Sequence, residues 1–125
     1  MSVLTRESLL SFEPKVVPVE LPEGTTYVKQ ISEADFAEIQ AQYVVNGQAK
    51  RNARTAQAAK VMWVIKCVCD ESGNCLFQRE DSVAVSEKIR AGAFELLYDK
   101  AVHVNEVNLE DDDEKKSDTQ QENTS

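Results

Sequence analysis

At 125 residues and 14.0 kDa the chain has the length of one ordinary domain, not two. Hydrophobic residues make up 42% and charged residues 29%, close to globular averages, which excludes wholesale disorder. The formal charge of −8, with pI near 4.7, repels phosphate backbones and disfavours whole-chain nucleic-acid binding.

The acidity is uneven. Residues 110–125 hold seven acids against Lys115 and Lys116, a net of −5 out of −8, which leaves −3 for residues 1–109. No apolar run approaches the roughly 18 residues that a membrane-spanning helix needs. The run from Val61 to Ile65 stops at Lys66. The first ten residues lack the apolar stretch of a secretory signal, so the mature chain is expected to begin at Met1, in the cytoplasm. Cys67, Cys69 and Cys75 are odd in number and are expected to be reduced, buried small hydrophobes. Their C-x-C-x5-C spacing lacks the C-x2-C pair of zinc sites, and no cofactor or metal is expected.

In chain order, residues 5–12 suit a short helix capped by Thr5, with Leu9, Leu10 and Phe12 as its apolar contacts. Residues 15–21 and 26–31 alternate as two strands. Val17, Val19 and Leu21 share one face of the first; Tyr27 and Ile31 lie opposite Val28 in the second. Leu21-Pro22-Glu23-Gly24 between them suits a tight turn and hence a hairpin, and Pro18, with no N–H to donate, makes the first strand an edge. Ser32 caps a helix with Glu33 and Asp35 in its first turn and Phe36, Ile39 and Tyr43 on its core stripe. Asn46-Gly47 reads as its left-handed stop.

The next helix is expected from about residue 48 to about 69. Its first half is Ala-rich and basic; its second half, including Met62, Trp63 and Ile65, is apolar nearly all round. Such a helix is either central to the fold or meets another subunit, which makes those three residues candidate core or partner contacts. From Ile39 to Cys69 no acid occurs, while Lys50, Arg51, Arg54, Lys60 and Lys66 give +5, which reads first as a solvated face balancing an acidic neighbour and second as a candidate docking face for a partner's acidic surface, the chain's own tail or, least of all, nucleic acid. After a polar turn at residues 70–74, Cys75-Leu76-Phe77 is expected to return to the core, followed by a short helical piece near 81–86. The last helix, about residues 88–105, places Ile89, Ala93, Phe94, Leu97, Tyr98, Ala101 and Val104 on one face and Glu95, Asp99 and His103 opposite, with Gly92 a weak point. Beyond Leu109 no aliphatic or aromatic residue remains, so 110–125 reads as a disordered tail; its acidic run Glu110, Asp111, Asp112, Asp113 and Glu114 is a candidate flexible bait.

The expectation is therefore an α+β fold, mainly helical, with an N-terminal β-hairpin. A single folded domain spans 1–109 (hairpin about 15–31, helical part about 32–108), ahead of the acidic tail at 110–125. No nucleotide-binding, hydrolase or metalloprotease motif occurs, and His103 is the single histidine from which a triad could be built, so no enzyme is expected. Glu95, Asp99 and His103, four residues apart on a helix, suit a solvated face better than a cation site.

Several segments in this order resemble the tail assembly chaperones of long-tailed bacteriophages of the lambdoid and related siphophage kind. Val19-Glu20-Leu21-Pro22-Glu23-Gly24-Thr25-Thr26-Tyr27-Val28 is similar to that family's opening segment, and Ile31-Ser32-Glu33-Ala34-Asp35-Phe36 to the capped helix after it. The turn Asp70-Glu71-Ser72-Gly73-Asn74-Cys75-Leu76-Phe77 and the run Phe94-Glu95-Leu96-Leu97-Tyr98-Asp99-Lys100-Ala101 with Asn105 resemble its later turn and closing helix. The resemblance implies a non-enzymatic protein of the host cytoplasm, absent from the mature virion, that oligomerises, binds the tape measure protein and helps recruit tail tube protein. Many such proteins also have a longer form made by ribosomal frameshifting near the end of the reading frame, for which Lys115-Lys116 marks a candidate place. A small DNA-binding regulator using the basic helix around Lys50–Lys60 is the alternative.

Overall fold

The computed structural model describes residues 3–107; the expected tail, with Glu110, Asp111, Asp112, Asp113 and Glu114, lies outside the described residues. The fold is α+β. Helix α1 (Arg6–Leu10) has its expected cap: the Thr5 hydroxyl accepts from the Ser8 N–H at 3.2 Å, and Ser8 Oγ accepts from Thr5 N at 2.8 Å. Its apolar contacts are absent. Leu9, Leu10 and Phe12 are 65%, 67% and 48% exposed, and no residue of α1 is buried.

Strands β1 (Val16–Leu21) and β2 (Gly24–Lys29) form the expected hairpin, closed by Pro22-Glu23, with Gly24 at φ +150°. Val17 stands opposite Val28 and Val19 opposite Thr26, so the alternation puts Val19 and Val28 into the core. The hairpin joins a third strand along β2, which leaves β1 and its Pro18 on an edge as the missing N–H requires. The third strand, β5 (Val68–Cys69), corrects the expectation that these residues end a helix. Val68 pairs with Val28 and Cys69 with Tyr27, and β2 supplies the hydrogen bonds that a further helical turn would have made.

Helix α2 (Glu33–Gln40) begins at its Ser32 cap, whose hydroxyl accepts from Asp35 N at 3.2 Å, and runs into a 3-10 turn at Ala41–Tyr43. Ile39 is fully buried; Phe36 and Tyr43 pack against the core from its margin. Asn46-Gly47 is a second correction. With φ of +52° and +79° the pair forms the turn of a small hairpin between β3 (Val44–Val45) and β4 (Gln48–Ala49), rather than a helix stop. Residues 48–52 are therefore not helical. The central helix α3 (Ala53–Cys67) starts where Asn52 and Thr55 cap each other, with Thr55 N donating to Asn52 Oδ1 and Asn52 N to Thr55 Oγ1, both at 3.0 Å.

The short helix α4 (Ser82–Lys88), preceded by a 3-10 turn at Arg79–Asp81, matches the expected piece near 81–86. The last helix, α5 (Ala91–Val104), begins three residues later than expected, since Ile89 and Arg90 are extended between α4 and α5. Gly92 thus lies in the first turn, where it costs little. Ala93, Phe94, Leu97 and Ala101 are buried, and Glu95, Asp99 and His103 face outward, as the period requires. Of Cys75-Leu76-Phe77, only Phe77 packs on the core; Cys75 and Leu76 are exposed.

One hydrophobic cluster joins α3, α5, Ile39 of α2, Val85 of α4 and the sheet valines. Helix α3 is its axis, with α2, α4 and α5 packed around it, which explains how a nearly all-apolar segment is covered within one chain. Arg90 clamps the hairpin turn to the start of α5, its guanidinium donating to both oxygens of Glu23 at 3.0 and 3.1 Å.

Candidate interaction surface

The five cations between Ile39 and Cys69 fall into two groups. Lys60 reaches Glu95 of α5 at 3.3 Å and lies over the Tyr98 ring at 5.0 Å, and Lys66 bridges Asp35 at 3.3 Å and Glu38 at 2.7 Å. Glu38 also receives Arg79 at 2.6 Å. Hydrogen bonds from Lys66 and then Arg79 hold the Glu38 carboxyl below its ordinary range, and the bond to Glu38 chiefly raises Lys66. These two lysines are structural ties between helices. Lys50, Arg51 and Arg54 are exposed and have no ion-pair partner among the described residues. Lys50 and Arg51 precede α3 instead of lying on it, and Arg51 stacks over Tyr43 with its guanidinium carbon 4.1 Å from the ring centre.

From Arg54 the surface continues into a groove of about 310 Å³ between α3 and α4, with Ala58, Val61, Met62 and Val83 as its apolar lining and Glu87 at its rim. The β3–β4 hairpin leaves Val44 53% exposed. An apolar groove whose charged lining is one cation, Arg54, balanced by one anion, Glu87, has the composition of a protein-binding patch more than of a phosphate-binding one. The second apolar surface is the N-terminal segment, where Val3, Leu4, Leu9, Leu10 and Phe12 are all exposed.

Met62 and Ile65, only 4% and 3% exposed, are core residues of this chain, and Met62 also meets the groove. Trp63 is half-buried. It meets Phe36 of α2 edge-on at 5.9 Å between ring centres. The candidates are thus not one site: Lys50, Arg51 and Arg54 line an edge, Met62 and Ile65 are inside, and Trp63 is at the margin.

Two features escaped the sequence reading. Asn105, just past α5, accepts from Ile31 N at 2.8 Å and donates to the carbonyls of Ala101 at 2.9 Å and Lys29 at 3.3 Å, fastening the closing helix to the β2–α2 connection. An asparagine at a helix end signals a cap, but nothing local signals a partner 74 residues away. The β3–β4 hairpin was hidden because Asn-Gly serves a hairpin turn and a helix stop equally well.

Glu95, Asp99 and His103 do not converge: Glu95 turns to Lys60, and His103 Nδ1 lies 3.5 Å from Glu106. Among the described residues no three His, Cys, Asp or Glu side chains are placed to hold a metal ion. Burial pushes the Cys67 thiol up to about 12, against the hydrogen bond that the Asn105 amide gives it at 3.7 Å, and burial raises the Cys69 thiol in the same direction. No helix among the described residues is long and apolar enough to cross a membrane.

Comparison with protein-family models and with curated proteins gives no match. Among solved structures, the fold is similar to that of the bacteriophage HK97 tail assembly chaperone, with a TM-score of 0.57 and 21% identity over 73% of this chain and 85% of that one. The fold is therefore one also seen in a phage tail assembly chaperone.

Proposed function

We propose that this protein is a tail assembly chaperone of a long-tailed bacteriophage, a non-enzymatic factor of the host cytoplasm that is left out of the mature virion. In this reading it self-associates, binds the tape measure protein and helps recruit tail tube subunits. The observation that carries the proposal is the fold likeness to the HK97 chaperone, which extends over 85% of that chain. The order of short motifs along residues 19–105 supports it independently of any shape comparison. So does the surface: a groove between α3 and α4 and an exposed apolar N-terminal segment are two unlike patches, and a contact between unlike patches propagates from copy to copy. The DNA-regulator alternative is weakened by the engagement of Lys60 and Lys66 with acids of α5 and α2, which leaves few cations to neutralise phosphates.

The test is co-expression of the full chain with the tape measure protein of its own phage. Co-purification, with the tape measure protein kept soluble, is the expected result. A tape measure protein that stays insoluble and uncaptured, alongside duplex binding that weakens steeply with salt, would overturn the proposal in favour of the regulator.

A further inference from the structure

We propose that Cys69 and Cys75 form a thiol–disulfide exchange site, a cross-strand dithiol that a small disulfide of the glutathione class oxidises to an internal disulfide, with Cys75 reacting first and Cys69 closing the bond. The two residues face each other across an antiparallel bridge. The backbone hydrogen bonds on either side of them, Asp70 N to Asn74 O at 2.9 Å and Leu76 N to Val68 O at 3.1 Å, run between their neighbours, so the cysteines themselves are a non-hydrogen-bonded pair. Such a pair brings its α-carbons to about 4.5 Å and its side chains to the same face, closer than hydrogen-bonded pairs. That spacing lies within the roughly 4.4–6.8 Å that a disulfide spans.

The five residues between them hold this register. The Asp70 carboxylate accepts from Ser72 N and Asn74 N, both at 2.9 Å, and Gly73 N donates to Asp70 O at 2.9 Å. Gly73 takes φ of +91°, and Lys29 Nζ reaches across from β2 to donate to its carbonyl at 2.8 Å. The pair is unequal in access: Cys75 is exposed and Cys69 is fully buried. Cys67 closes helix α3 and is not the residue bridged to Cys75, which faces Cys69. The C-x-C-x5-C spacing thus has a use that needs no metal.

The chemistry balances without another reactant. The Cys75 thiolate attacks one sulfur of the disulfide RSSR, forming the mixed disulfide Cys75–S–S–R and expelling RS⁻. The Cys69 thiolate then attacks the Cys75 sulfur, forms the Cys69–Cys75 bond and expels the second RS⁻. Two electrons pass from the protein to RSSR, and the two protons lost by the cysteines leave with two molecules of RSH.

The experiment incubates the full-length, reduced chain with glutathione disulfide, quenches samples over time with an alkylating reagent, and reads intact mass and mapped peptides. The expected result is a transient glutathione adduct on Cys75 that converts to a species lighter than the reduced chain by two hydrogens, linked Cys69 to Cys75, with Cys67 alkylated only after unfolding. Cys69→Ala should stop at the adduct, Cys75→Ser should give neither product, and Cys67→Ser should behave as the unaltered chain, each variant checked for native circular dichroism. A lasting adduct on Cys75 in the unaltered chain, a link to Cys67, or a Cys75 that does not react would overturn the proposal. Because the time course of the unaltered chain decides by itself, a variant that fails to fold leaves the conclusion intact.

Discussion

Helix α3 and the N-terminal segment are both rich in large apolar residues, yet the chain treats them in opposite ways. Around α3, Val61, Met62, Val64, Ile65 and Cys67 are all buried against α2, α4, α5 and the sheet. In the N-terminal segment, Leu9 and Leu10 of a 5-residue helix that buries nothing are exposed, as are Leu4 and Phe12 on either side of it. The difference is one of length and neighbours. A four-turn helix can present every side to some element of a small fold, whereas a single capped turn has one side and here no element beneath it. Stability therefore resides in the first region and unspent apolar surface in the second, so substitutions should separate folding from association.

The largest effect is expected at Phe94 of α5, which is buried against the central cluster. Truncation to Ala removes a whole ring where the surroundings cannot collapse, and should lower stability by about 3–5 kcal/mol, read as a shifted urea midpoint with unchanged slope. Trp63 tests the margin of the same region. A fully buried tryptophan would lose as much as Phe94, but this ring is half-buried with Phe36 as its aromatic neighbour, so Trp63→Ala should cost about 2–3 kcal/mol. A loss equal to that of Phe94→Ala would mean that another surface, such as a second copy, covers the indole in solution.

The Lys66–Glu38–Arg79 tie between α3, α2 and the turn before α4 sharpens the comparison through pH. Glu38 in the folded chain titrates below its ordinary 4.5, because Lys66 and Arg79 bind its charged form. A depressed carboxyl stabilises the fold above its unfolded value and loses that contribution as pH falls through the folded value. Lys66, raised above 10.5, contributes fully below that value and loses its share as pH rises through the folded one. The difference in melting temperature between the unaltered chain and Glu38→Gln should hold through neutral pH, shrink as pH drops below about 4.5, and vanish in stronger acid. A constant difference into acid would show that the carboxylate charge is not what ties the helices.

How much of this was legible in the residues follows from the range of the forces involved. The caps at Thr5 and Ser32, the edge set by Pro18 and the face of α5 from Ala93 to Ala101 depend on near neighbours and periodicity, and they are where the pattern puts them. Val68 and Cys69 became a strand because β2 offers them partners, a fact held some 40 residues away and invisible in a run that is apolar on all sides. The break at Ile89 and Arg90 has no proline or glycine to announce it; Arg90 instead finds Glu23 of the hairpin turn, 67 residues back. For the surface, composition marked Lys50, Arg51, Arg54, Lys60 and Lys66 as one basic segment. Only the tertiary neighbours Glu95, Asp35 and Glu38 divide them into two ties and an open edge.

The smallest effect on folding, and the most telling, belongs to the N-terminal segment. Replacing Leu9, Leu10 and Phe12 together by Ser removes apolar area that the folded chain already leaves to solvent, so each site should change stability by no more than about 0.5 kcal/mol. Under the proposed self-association, light scattering after size exclusion, over a range of concentrations, should nonetheless show weaker association, since exposed apolar area available to a second copy has been taken away. If the melting temperature instead falls as far as for Trp63→Ala, the segment folds back onto the body and the contrast with α3 fails. If stability and association are both unchanged, the N-terminal segment is not a surface through which copies meet, and Val83→Lys within the groove between α3 and α4 tests the other exposed apolar surface.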